Sequence, residues 1–562
     1  MTTTDYQPLA PNKLSGWLGR WFPILAILGV AVNATGLFNQ IMEPDGALYA
    51  AIAKRMALNN DFINLYGDGG DWLDKPHFPF WITAISFKIF GINAFAYKLP
   101  ALLFWCIGAF YTYRFAKLIY GRQTAELATL MYIFALHLIL SNFDVRAEPY
   151  LTGLIIGSTY HFYHLSQKCH WKHLLAGSLW CACAVMTKGI FVLITIGSGF
   201  VVQWVILRQW QQFSRWVWYA AIVLTLLLIA PELYALYQQF DRHPEKWVFG
   251  RQHVSGIRFF FWDSQFGRFF NTGPIRGSGD PFFYLHTLLW AFLPWALLLY
   301  AALYRFIRQT IRNRHFLPEY ISLGTGLVTL LLFSFSKFQL PHYINIVFPF
   351  YAILVAHWLG NLHNALQLKR VIWVQQFIAL VVVAGVLGLA VIYRPTHWWL
   401  ALILIAALAA VGGYFFRHRG LPAALGRCCL AMTALGLFVN LFFFPHLLQY
   451  QAGMQAGRWL QRHPYPQAPV MVGPASYSLE FYGAMDALRY TPAQLADSIA
   501  QQDSILVFAP LDSLTVWQGR WSVRELQRFS YYPISRLDIK FVNENTRNSQ
   551  VRTQALAIIS TK

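Results

Sequence analysis

The chain has 562 residues, of which 57% are hydrophobic, 17% aromatic and only 12% charged, with a formal net charge of +20. Soluble globular domains carry about a quarter charged residues, so this composition excludes an ordinary soluble enzyme and points to an α-helical polytopic membrane protein. In such a chain the excess of Lys and Arg belongs to cytoplasmic loops, so no nucleic-acid partner is expected.

The first hydrophobic segment, WFPILAILGVAVNATGLF (21–38), lacks a small-residue cleavage site and is followed by further spans, which predicts a retained helix. Apolar stretches long enough to cross follow near 97–118, 124–140, 148–165, 172–186, 188–208, 216–238, 283–305, 318–336, 341–361, 370–392, 398–416 and 422–444, giving thirteen spans with the first. Basic residues orient them. Arg114, Lys117 and Arg122, then Lys168 and Lys172, Arg208 and Arg215, Arg305, Arg308, Arg312 and Arg314, Lys369 and Arg370, and Arg417, Arg419 and Arg427 all fall on alternate connections. Lys13 and Arg20 share that cytoplasmic side only if residues 77–93 do not cross, so PHFPFWITAISFKIFG reads as an interfacial helix. The six cysteines lie in the hydrophobic part, at no spacing that suggests zinc or a disulfide framework.

The opposite, outer face then holds a defined set of loops. Its first, 40–96, contains EPDG (43–46) and DWLDKPH (71–77); the others are SNFDVRAEP (141–149), a long one at 239–282, and SKFQLPHY (336–343), with Lys188 of MTKG near the same face. From about 446 the chain changes character. APVMVG, SILVFAP and LDIKFV read as strands, with PAQLADSIAQQ and WSVRELQRF as helices between them. The expected organisation is a transmembrane domain over 1–445 and a small soluble α/β domain over 446–562, outside by parity.

Each charged residue of the outer face has a plain structural reading. Asp45 could cap the amphipathic helix that follows Pro44, and Asp74 with Lys75 could be an exposed ion pair. Asp144, Arg146 and Glu148 flank the start of a span, and Lys337 and His342 could be interfacial side chains reaching for water. Together they point elsewhere: ionisable groups from separate loops gathered at one membrane boundary are a candidate site. A carboxylate there could activate an acceptor hydroxyl or amine, while Lys and Arg stabilise a departing phosphate. The long loop adds Arg251, Arg258, Arg268 and Arg276 among aromatics, suited to phosphate and to a lipid or sugar face.

PDGALYAAIAKRM, DKPHFPFW, AEPYLTGL, MTKG and KFQLPHYINIVFPFYAIL, in this order and on this face, resemble the glycosyltransferase family 39 type of membrane enzyme. Its bacterial 4-amino-4-deoxy-L-arabinose (lipid A) transferases are more similar than its protein O-mannosyltransferases. The resemblance covers roughly residues 20–360. It implies a GT-C fold and transfer of a sugar from a polyprenyl-phosphate carrier to a lipid, glycan or protein acceptor on the periplasmic face of a bacterial inner membrane. By position it implies catalytic roles for Asp45 and Glu148, with Asp144 close enough to compete. It implies carrier-phosphate contacts for Lys75, Arg268 and Tyr343, with Lys337 as a further cation, and a substrate cavity that includes Asp74, Lys188, His342 and Gln265. Where the arabinose enzymes have glutamate and histidine, a pair resembling a metal site, this chain has Asp74 and Gln265. Gln265 is a poor zinc ligand, so no metal site and no required cofactor are expected, although two carboxylates such as Asp45 and Glu148 leave a divalent cation open. Leu48 replaces the arginine of the family's Arg-Tyr-Ala stretch, so substrate-facing contacts differ. The rival readings are a lipid or glycan flippase, and a periplasmic glycan ligase or polymerase using a lipid diphosphate donor. A carrier would place its ionisable groups near the bilayer midplane, whereas here they gather at one face.

Overall fold

The structure, a computed structural model, describes residues 11–313, 316–417 and 420–562; Arg314, Arg419 and the side chain of Lys13, used above to orient the loops, lie outside what it describes. Among the described residues, seven helices are long and apolar enough to cross a membrane, from Leu14–Phe38 to Leu421–Tyr450, and an eighth if one bent pair is a single span. This is fewer than the thirteen stretches read from hydropathy, because several of those are interrupted. Residues 124–140 fold as Arg122–Ile133 and Leu136–Phe143, bent by 51°, and at the bend the Leu136 amide donates to the Leu293 carbonyl at 2.9 Å. The 283–305 stretch divides into Phe283–Ala291 and Ala296–Arg312 around Pro294, which has no amide to continue a helix. Phe191–Ile206 and Ile321–Phe335 are apolar but only 16 and 15 residues long.

Close helix packing sets the position of the second outer loop. A Cβ on Gly153 would lie 2.2 Å from the Phe104 carbonyl oxygen, so only glycine lets the Glu148–Gln167 helix approach Ala94–Tyr120 there. The first outer segment starts with the helix Asp45–Asn59 and a two-stranded ribbon, Tyr66–Gly67 with Gly70–Asp71. It ends in the helix Phe78–Phe90, whose 13 residues rise about 20 Å, well short of a hydrocarbon core of about 30 Å. The Trp81 indole anchors this helix by donating to the Phe62 carbonyl at 2.7 Å.

From Ala452 the chain folds round a five-stranded sheet. Leu488–Arg489, Val470–Met471 and Ser504–Pro510 run parallel, and Arg552–Ser560 and Ser522–Tyr531 complete it antiparallel. Alternate strand residues serve two cores: Val507 and Ala557 face the helix Pro492–Gln501, while Phe508 and Leu556 face the helix Ala452–Arg462. Two sequence expectations are corrected here. WSVRELQRF is not a helix but most of the edge strand Ser522–Tyr531, because pairing along Arg552–Ser560 overrides its helical propensity. LDIKFV is not a strand: Asp538 caps a short helix, Ile539–Val542, by accepting the Lys540 amide at 2.7 Å.

Candidate active site

The ribbon turns the chain so that Asp74 and Lys75 immediately precede the interfacial helix. Asp74 Oδ2 lies 2.8 Å from Lys75 Nζ, and the Arg268 guanidinium bonds both the Asp74 carboxylate and its carbonyl. All three side chains are between 15% and 17% exposed, so this is no solvated surface pair. Burial alone would favour the neutral acid, but the two cations outweigh it and hold the Asp74 carboxyl at about 2. Burial pulls the Lys75 ammonium below its ordinary value, while Asp74 holds it up.

Asp45 is the first residue of its helix, but no side chain caps that end; the Asp45 carboxylate turns to Arg146 instead, Oδ2 to Nη1 2.8 Å. Arg146 also holds Asp144, Nη2 to Oδ2 3.1 Å, so one guanidinium joins carboxylates from two separate segments. Asp45 remains 36% exposed. Burial raises its pKa, Arg146 opposes the rise, and the like charge of Asp144 adds to it.

Glu148 opens its helix with a side chain only 2% exposed, ion-paired to Lys188, with His342 Nε2 3.9 Å from its second oxygen. Lys188 Nζ stands 3.5 Å from the centre of the Tyr343 ring. Gln265 donates from Nε2 to the Lys188 carbonyl at 3.1 Å and to Ser264 Oγ at 2.8 Å. Lys337 is exposed and lines none of this, whereas its neighbours Ser336 and Phe338 do, so its expected place among the phosphate contacts is corrected.

Some of these groups, without Asp45 or Glu148, line a cavity of about 90 Å³. Asp74, Lys75, Lys188, Gln265, Arg268 and Tyr343 form its polar end, and leucine and phenylalanine side chains such as Leu236, Phe260 and Phe333 line the rest. Arg268 Nε, buried at this cavity, has no hydrogen-bond acceptor among the described residues. An unpaired guanidinium N–H is costly to bury, and an anion in the cavity would satisfy it. Lys75 also borders a second recess, lined by Tyr49, Arg146 and Tyr150.

Two features of the site carried little sequence signal. Arg146 stood out only as a flanking charge, not as the group that holds Asp45. Glu232, fully buried, accepts the His77 backbone amide at 3.0 Å and faces its Nδ1 at 3.0 Å, while His77 Nε2 lies 2.9 Å from the Ile63 carbonyl. The available signal was a glutamate inside the apolar stretch 216–238. Among the described residues no three His, Cys, Asp or Glu side chains are grouped as ligands for a metal ion. The carboxylates of the site have cationic partners instead: Asp45 pairs with Arg146, Asp74 with Lys75 and Arg268, and Glu148 with Lys188.

The family model described as dolichyl-phosphate-mannose-protein mannosyltransferase matches residues 74–234, the stretch that runs from Asp74 through Glu148 and Lys188 to Glu232. The crystal structure of ArnT from Cupriavidus metallidurans bound to undecaprenyl phosphate matches 96% of this chain and 98% of its own, with a TM-score of 0.75 at 18% identity. The chain resembles the GT-C membrane glycosyltransferases. An oligosaccharyltransferase of Archaeoglobus fulgidus shares the GT-C fold over 94% of this chain and 70% of its own, with a TM-score of 0.50 at 10% identity. In sequence, an undecaprenyl phosphate-alpha-4-amino-4-deoxy-L-arabinose arabinosyl transferase of Edwardsiella ictaluri is 28% identical over 360 residues, 62% of this chain and 60% of its own length. That of Erwinia tasmaniensis is 28% identical over 326 residues, 56% and 55%. The chain thus spans less than two thirds of either arabinosyl transferase. An uncharacterized protein of Aquifex aeolicus is 25% identical over 76% of this chain and 78% of its own.

Proposed function

We propose that this protein transfers a sugar from a polyprenyl-phosphate carrier to a lipid, glycan or protein acceptor, at the periplasmic face of a bacterial inner membrane. The observation that carries the reading is the unpaired Nε–H of Arg268 at a cavity that is cationic at one end and apolar along the rest. A phosphate joined to a long hydrocarbon matches that division of surface. The carrier phosphate sits between Arg268 and Lys75, its chain runs along the phenylalanine side, and the sugar points past Lys75 toward Asp45.

Asp45 acts as the general base. Arg146 fixes one of its oxygens and leaves the other for the acceptor's proton. As the acceptor oxygen or nitrogen bonds to the anomeric carbon from the opposite side, the bond from that carbon to the carrier phosphate oxygen breaks, and configuration inverts. The departing phosphate gains charge beside Lys75 and Arg268, the place where preformed cations lower the barrier. Glu148 serves as a scaffold, holding Lys188 against the Tyr343 ring so that both border the phosphate. The arabinosyl transferase relatives suggest an aminoarabinose donor, but Asp74 and Gln265 change the set that lines the cavity, and we assign neither that sugar nor lipid A.

The test uses purified protein in detergent with a panel of radiolabelled polyprenyl-phosphate and polyprenyl-diphosphate sugars, and membrane extract as acceptor. Wild type should move label from a monophosphate donor to a new product. Asp45→Asn should abolish transfer while binding undecaprenyl phosphate normally, and Lys75→Ala should lose both. Transfer from diphosphate donors alone would favour the ligase reading. No transfer from any donor, with undecaprenyl phosphate still bound, would favour the flippase.

A further inference from the structure

The helix that carries Asp45 is not held in place by the transmembrane domain alone. Residues 39–44, which lead into it, form no regular element, and the backbone groups of Ile41 and Glu43 are paired with the C-terminal part of the chain. The Ile41 amide donates to Tyr482 Oη at 2.9 Å. Gln451, 2% exposed, accepts the Glu43 amide at 2.7 Å and donates to the Ile41 carbonyl at 3.1 Å, closing a two-way bridge. The Glu43 side chain reaches the N-terminal turn of the helix Tyr477–Tyr482, where one of its oxygens accepts the Ser476 hydroxyl at 2.7 Å, the Ser478 amide at 2.7 Å and the Ser478 hydroxyl at 2.5 Å. A carboxylate on a backbone amide in the first turn of a helix is a strong, direction-specific contact.

The same short helix is gripped a second time from the far end of the Asp45 helix. Lys54, 6% exposed, donates to the carbonyls of Glu480, Phe481 and Gly483 at 2.9, 3.0 and 2.7 Å, the acceptors left open at that helix's C-terminus. Arg55 binds Glu480 at 2.7 Å and Asp486 at 2.9 Å. The Asp45 helix therefore lies against the C-terminal domain like a rod held at both ends, with Asp45 one turn from the first clamp.

We propose that the C-terminal domain is a positioning element of the active site: through Glu43, Ser476, Ser478, Gln451 and Tyr482 it fixes the first turn of the Asp45 helix, and with it the carboxylate that faces the acceptor. This rests on the reading of Asp45 as the base. Donor binding does not depend on the clamp, because Lys75, Arg268 and the apolar cavity belong to other segments. The proposal thus separates kcat from carrier affinity, which general instability would not do.

The experiment uses the full-length protein. Hydrogen exchange of the amides at 45–50 is read with no substrate, alongside kcat with whichever donor the panel above identifies and the Kd for undecaprenyl phosphate. Glu43→Ala should speed exchange in the first turn and lower kcat roughly tenfold to a hundredfold, the loss a misplaced catalytic group brings, with Kd within about twofold of wild type. Glu43→Gln, which keeps an acceptor oxygen, should recover part of both. Ser476→Ala with Ser478→Ala should reproduce Glu43→Ala from the other side of the contact, and combining all three should add nothing further. If Glu43→Ala fails to fold, the serine pair decides the matter. Wild-type exchange and kcat in the serine pair, or a Kd that weakens in step with kcat, would overturn the proposal. Asp45→Asn separates this from the failure of the base reading. If Asp45→Asn keeps wild-type transfer, the base reading falls, and the exchange data still decide whether the clamp orders this turn.

Discussion

Replacing Lys188 by methionine tests how the charged end of the cavity is built. The substitution leaves Glu148, 2% exposed at its helix start, with His342 at 3.9 Å as its remaining ionic neighbour. Breaking a buried pair from one side costs about 3–5 kcal/mol, because the surviving charge stays desolvated. The lost ammonium above the Tyr343 ring adds about 0.5–2 kcal/mol. Glu148→Gln in the same background removes the stranded charge and should return at least ~2 kcal/mol, so the double variant should be more stable than Lys188→Met alone. Denaturant and thermal unfolding in detergent would read this, with undecaprenyl phosphate binding measured on the same samples. If Glu148 is scaffold, the double variant regains folding and keeps measurable transfer. A double variant no more stable than Lys188→Met would refute the burial argument, and a stable but wholly inactive one would make Glu148 a participant in the chemistry.

Other outcomes follow from the same geometry. Because Asp45 is raised above the ordinary aspartate value of 3.8, the acid limb of transfer should lie above that value. Protonating Asp45 there favours the folded state, and Asp74, held at about 2, gives up its stabilisation only as pH falls from 3.8 through that value. Activity should therefore fade with acid while the thermal midpoint holds, and a joint fall would refute the assignment. Arg268→Ala should weaken undecaprenyl phosphate binding about tenfold to a hundredfold, the worth of a charge-assisted hydrogen bond of ~1.5–3 kcal/mol, and Arg268→Lys should recover only part of it. An unchanged Kd by fluorescence titration would remove the phosphate from Arg268. Glu232→Gln should loosen the His77 turn and raise proteolytic or exchange sensitivity at 62–78, and unaltered protection there would show that the pair does not hold the interfacial helix.

What could be read in the sequence followed from local chemistry. DWLDKPHFPFW places Asp74 and Lys75 against an aromatic run too short to cross, so both the short helix Phe78–Phe90 and the charges before it were legible from one segment. Glu148 and Lys188 were legible as charges at span ends. Their pairing was not, because it depends on two helices meeting forty residues apart in sequence. Lys337 shows the converse: it lies in the right motif, but its loop turns Ser336 and Phe338 inward and leaves the lysine outside. Bends and Pro294 break several hydropathy runs into pieces, since hydropathy records apolar length and is blind to where the backbone stops being helical.

The tail illustrates the same limit for function. No motif in 446–562 suggests catalysis, and none was needed, because its contribution comes as hydroxyls, amides and carbonyls that any loop might carry. Neither Glu43 nor Lys54 stands out in the sequence as a candidate residue. Only the fold brings Ser476, Ser478 and the end of the Tyr477–Tyr482 helix to them. The carboxylate that we propose as the base depends on protein contacts for its order. In this chain those contacts come from the domain whose sequence shows no chemistry of its own.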